Sequence, residues 1–445
     1  MRGSITRDTD RRDYQISAIV AAHGGEAWTY THPMIDLRAA RQEPDRYRSA
    51  LARRGASEDF DALLEVDRRW RELTDRVDRL RALQKRPNTA PTPAEIEGFR
   101  RLKDDLREAE EELSQADRLR RELLARIPNL PHPTAPDGME EEDAEFVHAW
   151  GEPPTFTFQP RDHLELASST GWVDLERGAR VAGSRFAYRI GDVALAEMAL
   201  YRFVIERLAS KGFLPVLPPV LAGERAMFGT GFLPTDEHNL YHLEKDDLYL
   251  TGTSEVALAA IHMDERLAED QLPACYAGFS TNFRREAGAS GKDTRGMFRV
   301  HQFDKVEMFV CCLPEQSEEF HERLLAYEEA LVQALGLPYR VMNIAVGDLG
   351  APASKKYDIE AWFPAQQRYR EITSCSNTTD YQARRLNIRV RREGRLEFVH
   401  TLNGTGITAR ALLAIMENFQ DEGGVVAIPE VLREYGAPSK IGMNP

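Results

Sequence analysis

Residues 283–303, FRREAGASGKDTRGMFRVHQF, set Arg284, Arg285, Arg295, Arg299 and Lys292 around Gly288, Gly291 and Gly296. The flanks are rich in apolar residues, ACYAGFSTNF before and RVHQFDKVEMFV after, which predicts two antiparallel strands joined by a glycine-rich loop. Such a loop can bend to fit a ligand. Arg284 and Arg299 would then anchor opposite strand ends and face a common site. A guanidinium fork pairs with two oxygens at once, so the chemistry indicated is the capture of a polyanion, phosphate above all. A solvated hairpin tip would have the same composition, and the stretch alone leaves both readings open.

This positive charge is local, because the chain carries a formal net charge of −14. That total argues against non-specific binding of nucleic acid by the whole surface, and no DNA partner is expected. Hydrophobic content of 42% and charged content of 29% are ordinary for a globular protein with a large core. No apolar run approaches the roughly 18–20 residues of a membrane span. The charged start MRGSITRDTDRRDYQ has no apolar signal segment, so the cytoplasm is the expected compartment and no membrane partner is expected. Cys275, Cys311, Cys312 and Cys375 lack the short gaps of a structural zinc site. No zinc is expected, and any metal should sit on oxygen ligands.

The elements that must position these residues fall into two parts. Residues 1–33 lack periodicity and read as a poorly ordered extension, or as a misplaced start with Met34 the functional beginning. From Leu63 the apolar positions run Leu63, Val66, Trp70, Leu73, Val77, Leu80, and after QKRPNTAPTP they resume as Phe99, Leu102, Leu106, Ala109, Leu113, Ala116. Both runs have coiled-coil spacing, and Pro87, Pro91 and Pro93 must break the helix between them. The expectation is an antiparallel hairpin over about residues 62–126, with arms of about 40 Å at 1.5 Å per residue. A dimerisation coiled coil or a solvated charged face would show the same heptads. The basic residues toward the tip, Arg76, Arg79, Arg81, Lys85 and Arg86, favour a rod that reaches for a phosphate backbone.

IPNLPHPTAPDGMEEEDAEF (127–146) has the composition of a linker. Beyond it, short β-rich stretches alternate with helical ones. YDIEAWFPAQQRYREITSCS reads as a hairpin turning near Gln366 and Gln367. No Walker-type loop and no GxGxxG opens a βαβ unit, so a Rossmann-like nucleotide site is not supported. The fold class of this half is α+β around an antiparallel sheet.

FRREAGASGKDTRGMFRVHQFDKVEMF closely resembles motif 2 of the class II aminoacyl-tRNA synthetases, in the version found in seryl-tRNA synthetases. KGFLPVLPPVL (211–221) resembles motif 1, with Pro219 at its signature position, and TLNGTGITARALLAIMENFQ (401–420) resembles motif 3. TGTSEV carries the family's Thr-x-Glu element, and a helical hairpin followed by IPNLP is also this family's arrangement. The resemblance covers residue 34 to the C-terminus. It implies a helical tRNA-binding domain over 34–130, a linker over 131–150, and a class II catalytic domain over 151–445, its antiparallel sheet flanked by helices.

The resemblance also implies the chemistry: ATP-dependent activation of L-serine, then transfer to the 3′ end of serine tRNA, by a homodimer using Mg2+. Arg284 would bridge the α-phosphate and the serine carboxylate, Arg299 would be the second phosphate-binding arginine, and Arg410 would hold the γ-phosphate. Glu286 and Phe303 would recognise and stack on adenine. Glu371 and Ser374 would bind metal and ATP. Thr253 and Glu255 would take the α-amino group, Glu307 the serine hydroxyl, and Thr405 would border that hydroxyl. The hairpin would lie across the elbow and long variable arm of the tRNA, reading shape and backbone. Alternatives are a specialised paralogue (an antibiotic-resistant or secondary-metabolism copy), an amino-acid carrier-protein ligase, whose relatives lack the hairpin, and a non-catalytic tRNA-binding paralogue.

Overall fold

The computed structural model describes residues 35–84, 92–286 and 297–442. The expected N-terminal extension, Lys85 and Arg86, and the loop glycines Gly288, Gly291 and Gly296 lie outside the described residues. The chain divides into two compact units, one of residues 1–42 and 58–127 and one of residues 43–57 and 128–445.

The first unit is built on two long helices, α1 (Ser57–Leu83) and α2 (Pro93–Arg126). The start of α2 is encoded locally. Thr92 caps it, Glu95 reaches back to the Thr92 backbone N–H, and Pro93 occupies the first turn, where no donor is needed. Heptad positions Val77, Leu106 and Ala109 are buried together, with Leu80 and Leu113 packed against them. The cross-helix pairs Asp67–Arg120, Arg69–Glu112 and Arg81–Glu110 run in opposite sequence directions, so the arms are antiparallel.

Asp67 is fully buried, and its carboxylate accepts from Arg41 (2.7 and 2.8 Å), Arg120 (2.9 Å) and Arg71 (3.2 Å). The Arg120 guanidinium also lies 4.3 Å from the Trp70 ring centroid. Burial pushes the Asp67 carboxyl up, but the arginines outweigh it and hold the group below the usual carboxylate range. A buried polar residue in an otherwise apolar seam costs stability unless the partners align, so it specifies how the helices register.

The second unit is organised by an eight-stranded sheet. Its strands are β1 (Glu145–Trp150), β2 (Leu214–Val216), β3 (Ala274–Phe283), β4 (Gln302–Cys312), β5 (Tyr339–Asn343), β6 (Lys355–Phe363), β7 (Arg368–Thr379) and β8 (His400–Thr408). They lie in the order β1-β5-β6-β7-β8-β4-β3-β2, and every neighbour is antiparallel except the parallel pair β2–β3. The expected antiparallel sheet and the helical hairpin are therefore both present. The turn at Gln366 and Gln367 joins β6 to β7.

Helices α3 (Asp192–Ala209), α5 (Ser317–Ala334) and α7 (Ala409–Asn418) bury one face of the sheet. Val204, Leu208, Leu324, Leu331 and Ile415 join Val306, Met308, Ile359 and Leu402 in one core. The short helices α4 (Glu255–Ala259) and α6 (Tyr381–Leu386) pack toward the other face, where Leu258, Phe309, Cys311 and Leu386 form a second cluster.

Two bulges set which side chains reach that second face. Across β6–β7, Ile359 pairs with Thr373 and Glu360 with Glu371, so Ile372 is the extra residue. Across β4–β8, Val306 pairs with Ile407 and Glu307 with Thr405, so Gly406 is the extra residue. An extra residue shifts the two-residue alternation by one. Glu371 and Ser374, three apart, thereby share a face, while on β8 Thr405 keeps the regular register opposite Glu307 and the shift returns Ile407 to the helix-covered core.

Replacing Asp67 by Ala leaves Arg120 and Arg41 without their shared acceptor. Because the arginines are only partly buried, a loss of about 2 kcal/mol is expected. Faster amide exchange across both arms of the hairpin, with the second unit unchanged, is the outcome to look for.

Candidate active site

On the second face of the sheet, 20 side chains and loop residues enclose a cavity of about 430 Å³. Six residues singled out from the sequence line it: Thr253, Glu255, Arg284, Glu307, Ser374 and Thr405. They come from five places in the chain, and strand register brings them together.

Glu255 opens α4 and is 9% exposed. Its Oε1 accepts from Gln382 Nε2 at 2.7 Å and from Asn403 Nδ2 at 2.9 Å. Burial, reinforced by the nearby Glu307 charge, pushes the Glu255 carboxyl up to about 7, against the opposing pull of Lys305, Gln382 and Arg284. Glu307 lies on β4, only 1% exposed, with Thr253 Oγ1 donating to its Oε2 at 3.2 Å and Lys305 in direct ionic contact. Burial raises the Glu307 carboxyl, and Lys305 is the strongest influence against that rise.

Arg284 ends β3. Its Nε donates to the Gly252 carbonyl at 3.1 Å, and its guanidinium sits 5.3 Å from the Phe303 ring centroid. A Cβ at Gly252 would lie 3.4 Å from the Arg284 side chain, so glycine there keeps the guanidinium path clear. The Arg284 charge acts on Glu255, Glu307 and Glu371 alike.

The remaining expected residues lie outside the cavity lining. Arg299 Nη1 donates to Glu286 Oε2 at 3.1 Å, a pair at the two bases of the glycine loop. Arg410 starts α7, where its backbone N–H donates to the Thr408 cap. Its guanidinium donates to the Glu371 carboxylate at 3.0 Å and stands 4.8 Å from the Phe298 ring centroid. Partial burial would raise the Glu371 carboxyl, but Arg410, Lys356 and Arg284 together hold it below the usual range. Arg299 and Arg410 therefore sit in separate ion pairs, and of the three arginines Arg284 is the one that lines the cavity.

Ser374 shares the face of Glu371 through the Ile372 bulge. One ionised carboxylate beside a hydroxyl suits Mg2+, which takes one or two protein carboxylates and fills its octahedron with water and substrate phosphate oxygens. No cluster of three or more His, Cys, Asp or Glu able to cage a metal occurs among the described residues.

Several lining residues were not singled out from the sequence. Lys356 is paired with Asp358 at 2.9 Å, and Lys305, Asn403, Ser376 and Thr378 also face the cavity. A signal existed for the lysines. KVE and KYD put opposite charges two residues apart on runs otherwise apolar enough to be central strands, so both charges must share one face. Gln382 carried no such signal, because only α6 brings it to Glu255 across 127 residues.

In the first unit the hairpin arginines are less free than their run suggested. Arg81 pairs with Glu110 at 2.7 Å, Arg76 with Glu112 at 3.6 Å, and Arg79 donates to the Asp75 carbonyl. The acidic run 107–113 on α2 is their counterpart.

The fold and the site define a class II synthetase core. The family description "tRNA synthetase class II core domain (G, H, P, S and T)" matches residues 240–419, and "Seryl-tRNA synthetase N-terminal domain" matches residues 34–131. The serine–tRNA ligase of Streptomyces coelicolor is 49% identical over 414 residues, 90% of this chain and 97% of that protein. Seryl-tRNA synthetase from Pyrococcus horikoshii, solved with ATP, superposes with a TM-score of 0.85 at 39% identity, covering 92% of this chain and 99% of that one. The cytoplasmic serine–tRNA ligase of Naegleria fowleri, solved with AMP, superposes at 0.81 and 34% identity, covering 90% and 96%. The chain belongs to the seryl-tRNA synthetase family.

Glu255 should titrate near pH 7 in carboxyl NMR of the free protein. Because the Gln382 hydrogen bond favours the charged form, Gln382→Ala should move that midpoint higher. A midpoint near the ordinary glutamate value of about 4 would show a far wetter cavity than the structure describes.

Proposed function

We propose that this chain is a serine–tRNA ligase: it activates L-serine with ATP to seryl-adenylate and pyrophosphate, then transfers serine to the 3′ end of serine tRNA. The observation that carries this reading is one cavity holding Glu255, Glu307 and Arg284 together. A small amino acid with a side-chain hydroxyl matches that set group by group. The Glu255 carboxylate suits the α-ammonium, with Thr253 beside it. The Glu307 carboxylate suits the hydroxyl, and Thr405, opposite Glu307 in the β4–β8 register, borders it. Arg284 offers fixed positive charge where the serine carboxylate and the α-phosphate must meet. Two anions approach there, and a preorganised guanidinium stabilises the charge that builds up between them.

ATP would extend from this point. Phe303, stacked under Arg284, and Glu286 are assigned to the adenine, Arg299 to the phosphates and Arg410 to the γ-phosphate. Glu371 and Ser374 would hold Mg2+, which when bound screens phosphate charge. Glu286, Glu371, Arg299 and Arg410 are paired with one another in the free protein, so ATP binding would exchange those partners for phosphate, base and metal.

The hairpin is assigned to the tRNA. Its arginine–glutamate pairs are solvent-exposed, so each contributes little and can be traded for phosphate contacts at small cost. A homodimer is supported by exposed apolar side chains on neighbouring elements of the motif 1 region, among them Met198 (68% exposed) on α3 and Leu217 (82% exposed) just after β2. No helix among the described residues is long and apolar enough to cross a membrane. The cytoplasm is the proposed compartment, in keeping with free buried thiols at Cys311, Cys312 and Cys375.

Serine should support ATP–pyrophosphate exchange, with alanine and threonine far poorer. Arg284→Ala should cut exchange by roughly 10²–10³-fold, the scale for losing one preorganised charge-stabilising donor. Near-normal exchange in that variant would remove Arg284 from the mechanism. Deleting residues 62–126 should leave exchange intact and eliminate aminoacylation, and charging that survives the deletion would take the hairpin out of tRNA binding.

A further inference from the structure

Lys305 occupies the middle of β4, hydrogen-bonded between β3 and β8, and is 6% exposed. A lysine so deep in a central strand is costly unless its charge is answered. Period-two alternation puts it on the face of Glu307, and its ammonium contacts Glu307 Oε2. Thr253 Oγ1 donates to that same oxygen at 3.2 Å. Both contacts fall on Oε2, which leaves Oε1 for the cavity. The other charged groups around Glu307 are Arg284 and Glu255 on the cavity side and Glu328 from α5 behind the sheet. Deep burial favours a proton on Glu307, and Lys305 is the cation in direct contact that opposes it.

We propose that Lys305 is a specificity-positioning residue, which holds Glu307 as a charged acceptor in one orientation so that a single carboxylate oxygen meets the hydroxyl of a small β-hydroxy amino acid. This rests on the reading of the chain as a serine-activating enzyme and names what sets its side-chain choice. A carboxylate pinned by one oxygen cannot turn away from a substrate lacking the hydroxyl, so such a substrate gains no compensating bond. Without Lys305, Glu307 takes up a proton or rotates. Serine then loses a charge-assisted hydrogen bond that alanine never made.

The test uses full-length protein carrying Lys305→Met, Lys305→Gln or Lys305→Arg, with ATP–pyrophosphate exchange measured for serine and for alanine. Lys305→Met and Lys305→Gln should raise the KM for serine by about tenfold or more, as expected for loss of a hydrogen bond to a charged group. They should also collapse the serine-to-alanine ratio of kcat/KM, and Lys305→Arg should restore part of it. A thermal shift on adding ATP shows that each variant still forms the pocket. Should the methionine variant fail to fold, the glutamine and arginine pair decides. If wild-type protein shows no exchange with serine, the functional reading itself is lost. If wild type exchanges and a folded Met or Gln variant keeps the wild-type ratio, the role of Lys305 is overturned and that reading stands.

Discussion

Charge inside a packed sheet has to be answered by charge, and the second unit is arranged around that constraint. β4 runs through the sheet with neighbours on both edges and is buried along most of its length, yet it carries Lys305 and Glu307 side by side. β6 repeats the device with Lys356 and Asp358. Each lysine neutralises a carboxylate two residues away on the same face, so the strand stays compatible with the core behind it. The face in front can then present polar groups to a cavity. Isolated, any one of these groups would cost several kcal/mol to bury or would change its protonation.

Two bulges modify that arrangement within the paired strands. On β8, Thr405 follows Thr401 and Asn403 in regular alternation opposite Glu307, and the extra residue at Gly406 keeps Ile407 in the helix-covered core. In a regularly pleated strand Glu371 and Ser374, three apart, would point to opposite sides, and the bulge at Ile372 puts them on one face of β7. Bulges are conformationally specific features, and here both occur on strands that border the cavity. The shared face of Glu371 and Ser374 thus traces to a single-residue departure from regular pleating.

The free protein keeps several of its arginines occupied with internal partners. Arg299 holds Glu286, Arg410 holds Glu371, and the hairpin arginines hold the acidic run of α2. In an acidic chain this pairing satisfies cations that would otherwise repel one another, and it leaves Arg284 as the arginine that faces the cavity directly. Ligand binding in the proposed function is therefore an exchange of partners rather than the filling of bare positive sites.

Local rules carried much of the architecture into the sequence. Heptad spacing and prolines set two antiparallel helices, Thr92 and Glu95 set where the second begins, and apolar runs with turn residues set an antiparallel sheet. These were legible because they depend on residues within a few positions of one another. Motif residues such as Arg284, Glu307 and Glu371 were legible because their types and order match a known family. What stayed hidden depends on distance along the chain. The contact of Gln382 with Glu255, the pairing of Arg410 with Glu371, and the sharing of Asp67 between Arg41 and Arg120 join residues up to 127 apart, and no local periodicity encodes them. The bulges were equally unreadable, since one added residue reverses every side chain beyond it and only the paired strand reveals where the count slips. Composition and spacing determined which groups this chain has for its chemistry. Strand register decided which of them share a face.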